Sequence, residues 1–143
     1  MRHDEFFAEF DAMFVDLVKR ARTGRFAPNC DVFLSDDGTT LVVDVEIAGV
    51  DLADLRVGVD ERHLFILGRR SRRDRTISGS VLMKEIEYGE FAKKLHLPAS
   101  VAYQDATASY RDGMLTIRLP VSTSAALPRH RTEIPMTVTR TLV

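Results

Sequence analysis

Residues 108–120 constrain the fold of this chain more than any other stretch. Ala108 and Tyr110 alternate with Ser109 and Arg111 on one side of Asp112-Gly113; Leu115, Ile117 and Leu119 alternate with Thr116 and Arg118 on the other. Both arms have period two and one apolar face, the signature of paired strands. Asp112-Gly113 supplies the positive φ angles that a two-residue hairpin turn demands. Pro120 closes the second arm.

The same period recurs upstream. Residues 30–34 read as a short strand followed by the turn Asp36-Asp37-Gly38. Leu41, Val43, Val45 and Ile47 alternate with Val42, Asp44 and Glu46 until Ala48-Gly49-Val50 breaks the pattern. Leu55, Val57 and Val59 form the next apolar face, and Asp60-Glu61-Arg62-His63 turns the chain. Residues 64–67 are continuously apolar, as in a buried strand. Phe91, Leu95 and Leu97 mark another strand ended by Pro98, and residues 104–110 lead into the closing hairpin. Short strands at this spacing predict an all-β, immunoglobulin-like β-sandwich over residues 29–121. No βαβ alternation argues for a nucleotide-binding α/β fold.

Residues 1–28 have a different period. Phe6, Phe10, Met13, Phe14 and Leu17 fall at helical spacing, with Phe7 and Val18 widening the stripe. Asp4 can cap the start, and Lys19, Arg20 and Arg22 at the other end complement the helix dipole. Thr23-Gly24 is a plausible stop. Four of the eight phenylalanines crowd into this helix. It packs either on its own domain or on other proteins, and the sequence leaves both readings open.

Two segments fit neither pattern. Between Leu67 and Phe91 lies a polar insertion carrying Arg69, Arg70, Arg72, Arg73 and Arg75. A connection this long in a compact domain is often functional. Val81-Leu82-Met83 within it reads as a strand with no place in its own sandwich, suited to the edge of a partner subunit. Residues 122–143 form a tail holding Ile134-Pro135-Met136. Pro135 forces Ile134 into an extended form, which sets Ile134 and Met136 on one side for docking by strand addition.

Composition removes several function classes. A net charge of −1 gives no strong field for nucleic acid or membrane. The Arg69–Arg75 run lacks interleaved aromatics and reads as a solvated loop. Cys30 is the lone cysteine, which suits a reducing cytoplasm and reads as a small strand residue rather than a nucleophile. No apolar run approaches a membrane span, and acids among the first residues argue against a signal peptide. His3, His63, His96 and His130 are scattered without metal-ligand spacing, and His96 is expected to face solvent. No phosphate-binding Gly-Lys loop and no Gly-x-Ser-x-Gly elbow exist. No catalytic, cofactor or metal site is expected.

Several motifs together resemble the small heat-shock protein family and its α-crystallin domain. Residues 108–115 match its Ala, four residues, Gly, any residue, Leu. Glu46-Ile47-Ala48-Gly49-Val50 is similar to Glu-Leu-Pro-Gly-Val, with Ala48 in place of proline. Leu64 to Arg70 resembles Leu-x-Ile-x-Gly-x-Arg, and Tyr88-Gly89-Glu90-Phe91 with Lys93 and Leu97-Pro98 resembles Tyr-Gly-x-Phe-x-Arg followed by Leu-Pro. Ile134-Pro135-Met136 resembles the tail Ile-x-Ile/Val.

The resemblance implies an ATP-independent holdase that prevents aggregation of unfolded clients and works as homodimers assembling into larger oligomers. No nucleic acid and no stable membrane association are implied. Phe6, Phe7, Phe10, Phe14 and Leu17 would contact clients. Val81, Leu82, Met83 and Glu85 would swap onto a partner's Val32 and Phe33. Ile134 and Met136 would enter a groove on another dimer, lined by Val57, Val59, Ala106 and Ala108. Lys93, where arginine is common, would lie partly buried at a dimer contact. Two other classes stay open: a CS-like cochaperone or adaptor, which a monomeric mass would favour, and a membrane-surface protein using the helix, against which its mixed acids argue.

Overall fold

The computed structural model describes residues 2–19, 26–72, 79–122 and 132–138. After helix α1 (Arg2–Lys19) come β1 (Cys30–Leu34), β2 (Thr40–Glu46), β3 (Leu55–Val59), β4 (His63–Arg70), β5 (Gly89–His96), β6 (Thr107–Arg111) and β7 (Met114–Pro120). Two short strands follow in the tail, β8 (Thr132–Ile134) and β9 (Met136–Val138). One sheet runs β1-β2-β7-β6-β9 and the other β5-β4-β3-β8. Their inner faces enclose the core.

The alternation read from the sequence sets these faces. In β2, Leu41, Val43 and Val45 are buried; in β7, Leu115, Ile117 and Leu119 are. The two strands pair antiparallel with Val43 opposite Ile117, so the apolar positions share one face. From the other sheet, Leu55, Val57, Val59, Leu64, Ile66 and Phe91 close the core. The β6–β7 hairpin turns on Asp112 (φ 53°) and Gly113 (φ 77°), as the Asp-Gly pair requires. Tyr110 Oη donates to the Ile47 carbonyl at 2.6 Å, tying the hairpin to the end of β2.

Some bounds differ from the sequence reading, each for a physical reason. Residues 103–105 form a short 3₁₀ turn, so the hairpin's first strand begins at Thr107 rather than at Gln104. Helix α1 runs from Arg2, which places Asp4 inside its first turn instead of at its cap. The expected stop at Thr23-Gly24 lies outside the described residues. Val81-Leu82-Met83 forms no strand in the single chain; the strand expected there is one that pairs with a partner subunit. Phe26, ahead of the first strand, joins the core and meets Phe91 edge-on at 5.1 Å.

Candidate functional site

Three surfaces meet on this sandwich: a groove that holds the tail, a seat that holds the helix, and an unpaired edge. The groove comes first. Strands β3 and β6 would be edges of their sheets if the tail were absent. The tail closes both. Ile134 pairs with Val57 and Thr132 with Val59 in an antiparallel ladder, while Met136 pairs with Ala108 in a parallel one. Between the two ladders lies Pro135, which lacks the N–H that a continuing strand would present. Ile134 is buried (3% exposed) within the core formed by Val57, Val59 and Ala108; Met136 and Ala106 pack against it half-buried. The groove occupant here is the chain's own tail, whereas the sequence reading seats that tail on another dimer.

The helix seat lies on the outer face of the second sheet. Phe65 and Leu67 of β4 point outward, opposite in parity to Leu64 and Ile66, and pack with Phe6, Phe7 and Phe10 of α1. This explains the continuous apolar run at 64–67: both faces of β4 are covered. Phe7 and Phe10 meet the Phe65 ring edge-on at 5.2 and 5.1 Å, and Phe14 stacks on Phe10 at 5.6 Å. Phe6 is fully buried against Gly58, where a Cβ would stand 2.3 Å from the Phe6 ring. A glycine inside a strand marks such a close approach. Leu17 is buried too, and Phe14 is half-buried. Of the two readings open in the sequence, the structure adopts packing on the chain's own domain.

Arg56 joins helix and tail. Its Nε donates to Glu133 Oε1 at 2.8 Å and its Nη1 to Glu9 Oε2, while the guanidinium lies 4.9 Å from the Phe6 ring centre. Hydrogen bonds to Glu133 raise its pKa further above an already high value, so the cation is permanent. Nothing in the local sequence announces this bridge, because its carboxylates come from opposite ends of the chain.

The unpaired edge is β1, which borders the first sheet with only β2 beside it. Val32, Phe33 and Leu34 are exposed, Phe33 by 51%. Exposed likewise are Val81, Leu82 (96%), Met83, Glu85 and Ile86 in the insertion. The structure does not bring these two groups together. Arg70 fixes the root of the insertion, donating to the Glu87 carbonyl at 2.9 and 2.6 Å and stacking 3.7 Å over Phe26. Lys93 is half-buried and donates to the Pro28 carbonyl at 2.7 Å. Burial pushes the neighbouring Cys30 thiol up, against the pull of Lys93.

The histidines are less scattered than the sequence suggests. His96 is exposed, yet its Nδ1 lies 3.3 Å from His63 Nε2, and His63 Nδ1 lies 3.1 Å from Asp60 Oδ1. Strand register across β4 and β5, invisible in linear spacing, makes this contact. Among the described residues no group of three or more candidate metal ligands occurs, and no helix is long and apolar enough to cross a membrane.

Comparison with known proteins gives a consistent result. The model of the Hsp20/alpha crystallin family matches residues 34–137. Heat shock protein 16 of Schizosaccharomyces pombe is 31% identical over 99 residues, covering 68% of each chain. The probable 15 kDa heat shock protein of Leptospira interrogans is 29% identical, covering 72% of this chain and 76% of its own. Among solved structures, hspA of Xanthomonas axonopodis superposes with a TM-score of 0.61 at 28% identity, over 71% of this chain and 99% of that one. Heat shock protein 16.0 of S. pombe superposes with a TM-score of 0.62 at 26% identity, over 74% and 96%. The matched region runs from the end of β1 into β9, so it takes in the sandwich, the groove and the docked tail, and this chain belongs to the Hsp20/alpha crystallin family of small heat-shock proteins, which are ATP-independent chaperones and not enzymes.

Proposed function

We propose that this chain is a cytoplasmic holdase that binds partly unfolded proteins and keeps them from aggregating, without nucleotide. The observation that carries this reading is the helix seat. An aromatic face built from Phe6, Phe7 and Phe10 is stored on the outer wall of the sandwich and contributes nothing to the core between the sheets. It can leave without opening the fold. Partly unfolded clients expose apolar side chains, and a released aromatic face gains by covering them.

Assembly follows from the other two surfaces. The exposed β1 edge, with Val32 and Phe33, accepts residues 81–86 of a second copy, and that copy's edge accepts the same residues in return, as twofold symmetry requires. Ile134 and Met136 fit a β3–β6 groove of any copy, so the tail docks within a chain or between dimers. Exchange from the first to the second links dimers into larger oligomers. Arg56 holds carboxylates from both the helix and the tail, so loosening either removes a partner from the cation that retains the other.

The test is to heat an aggregation-prone client with and without this protein, in the absence of ATP, and follow light scattering. Suppression near stoichiometric amounts is expected. No suppression across a range of temperatures contradicts the holdase reading.

A further inference from the structure

The groove holds the tail by more than its two apolar knobs. Strand β8 lies antiparallel to β3, so its residues alternate between the two faces of the sheet. Ile134, opposite Val57, is buried in the core. Glu133, opposite Gly58, therefore stands on the outer face. Arg56 shares that face two residues along β3, a diagonal that a long side chain spans. Its Nε donates to Glu133 Oε1 at 2.8 Å and its Nη2 to Oε2 at 3.4 Å, so one guanidinium meets both oxygens of one carboxylate.

The helix holds Arg56 ready for that carboxylate. Glu9 accepts from its Nη1, and the Phe6 ring, which fills the space over Gly58, lies 4.9 Å from the guanidinium. A fork positioned in advance loses little freedom when a tail arrives. The Arg56 and Glu133 side chains are 34% and 29% exposed, so solvent screens the pair only in part. We propose that Arg56 makes the β3–β6 groove selective for a tail whose isoleucine knob follows a carboxylate, the occupant being Glu133-Ile134-Pro135-Met136 of a second copy of this chain. The selectivity rests on the docking between copies proposed above and adds a preference among tails. Apolar knobs of similar shape fit the groove alike. A neutral or basic residue before the isoleucine leaves two donors of Arg56 without their acceptor. A partly exposed ion pair changes affinity by roughly two- to fivefold. When both tails of a dimer dock, that preference is squared, to roughly four- to twenty-five-fold. Copies of this chain are thereby favoured over tails that lack the acid.

The experiment is fluorescence anisotropy with a labelled, end-blocked peptide of residues 132–138. The acceptor is the full chain carrying Glu133→Gln, Ile134→Ala and Met136→Ala, which frees the groove of its own tail. The peptide is compared with its Glu133→Gln and Glu133→Lys forms. The Gln form is expected to bind roughly two- to fivefold more weakly and the Lys form more weakly again. The gap between Glu and Gln forms is expected to close in about 1 M salt. With Arg56→Gln added to the acceptor, those two forms are expected to bind alike. The comparison on the acceptor that keeps Arg56 decides the matter even if Arg56→Gln fails to fold. Equal binding of the Glu and Gln forms there, or a gap that survives Arg56→Gln, overturns the selectivity and leaves docking between copies standing. No binding by any of the peptides overturns that docking and the selectivity with it.

Discussion

Gly58 and Arg56 decide at the residue scale whether the helix stays seated. A side chain at Gly58 must displace the Phe6 ring, because its Cβ alone would lie 2.3 Å from Phe6 Cε1. The strand around it is regular and the glycine φ is not positive, so the cost falls on the contact with the helix. Gly58→Val is therefore expected to lift α1 from the sheet at a cost of about 1–3 kcal/mol while the sandwich persists. Increased binding of a hydrophobic dye, with the strand signal unchanged by circular dichroism, checks it. Arg56→Gln removes both ion pairs; each is partly exposed and worth at most about 1 kcal/mol. The expected outcome is a small, salt-sensitive loss in which helix and tail loosen together, followed by amide exchange. Asp37 gives a pH dependence with a definite sign. Hydrogen bonds from Ser35 and Thr39 lower its pKa to about 2 from 3.8. A depressed folded value means the turn's contribution is complete above about pH 4 and is lost as pH falls through about 2. An NMR titration of the Asp37 carboxyl reads this directly. Of these residues the sequence marks only Asp37, in the turn Asp36-Asp37-Gly38; the close approach at Gly58 shows only once the helix is seated on it. Arg56 and the His63–His96 pair were illegible because their partners lie 33 to 77 positions away.

At the element scale the legible features were those with a strict local period. The arms of the β6–β7 hairpin, the alternation of β2 and the stripe of α1 all follow from spacing and turn chemistry. The covered outer face of β4 could not be read, since an apolar run looks the same whether a second sheet or a helix covers it. Whether residues 81–86 become a strand depends on a neighbour that one chain does not supply. The tail lies between these cases: Pro135 foretells an extended segment, and its two short ladders complete edges that would otherwise be open. Ile134 supplies the buried knob of that dock. Ile134→Ala is expected to weaken docking by about 2–4 kcal/mol. Release of the tail to limited proteolysis, with the melting of the sandwich little changed, is the expected result; smaller oligomers by light scattering are expected with it.

At the scale of the whole molecule, the sandwich is a frame that carries an aromatic helix, a docked tail and an unpaired edge, the first two joined through Arg56. Leu82 offers a clean probe of assembly, because at 96% exposure it stabilises nothing within its own chain. Leu82→Asp is expected to leave the monomer's thermal midpoint unchanged and to shift the mass measured by light scattering from dimer or larger toward monomer. Retention of full mass would remove residues 81–86 from the interface. The helix is the part on which the chaperone reading depends, and it makes a demand that the other surfaces do not. Its face must be covered at rest and must meet the client when the client unfolds. The most direct measurement places a photoreactive benzoyl-phenylalanine at position 10 of the full chain and irradiates it cold, then during heating with client. The account predicts a cross-link to the chain's own β4 near Phe65 in the cold and adducts to client on heating. Cross-links that remain on β4 while client aggregation is suppressed would contradict it.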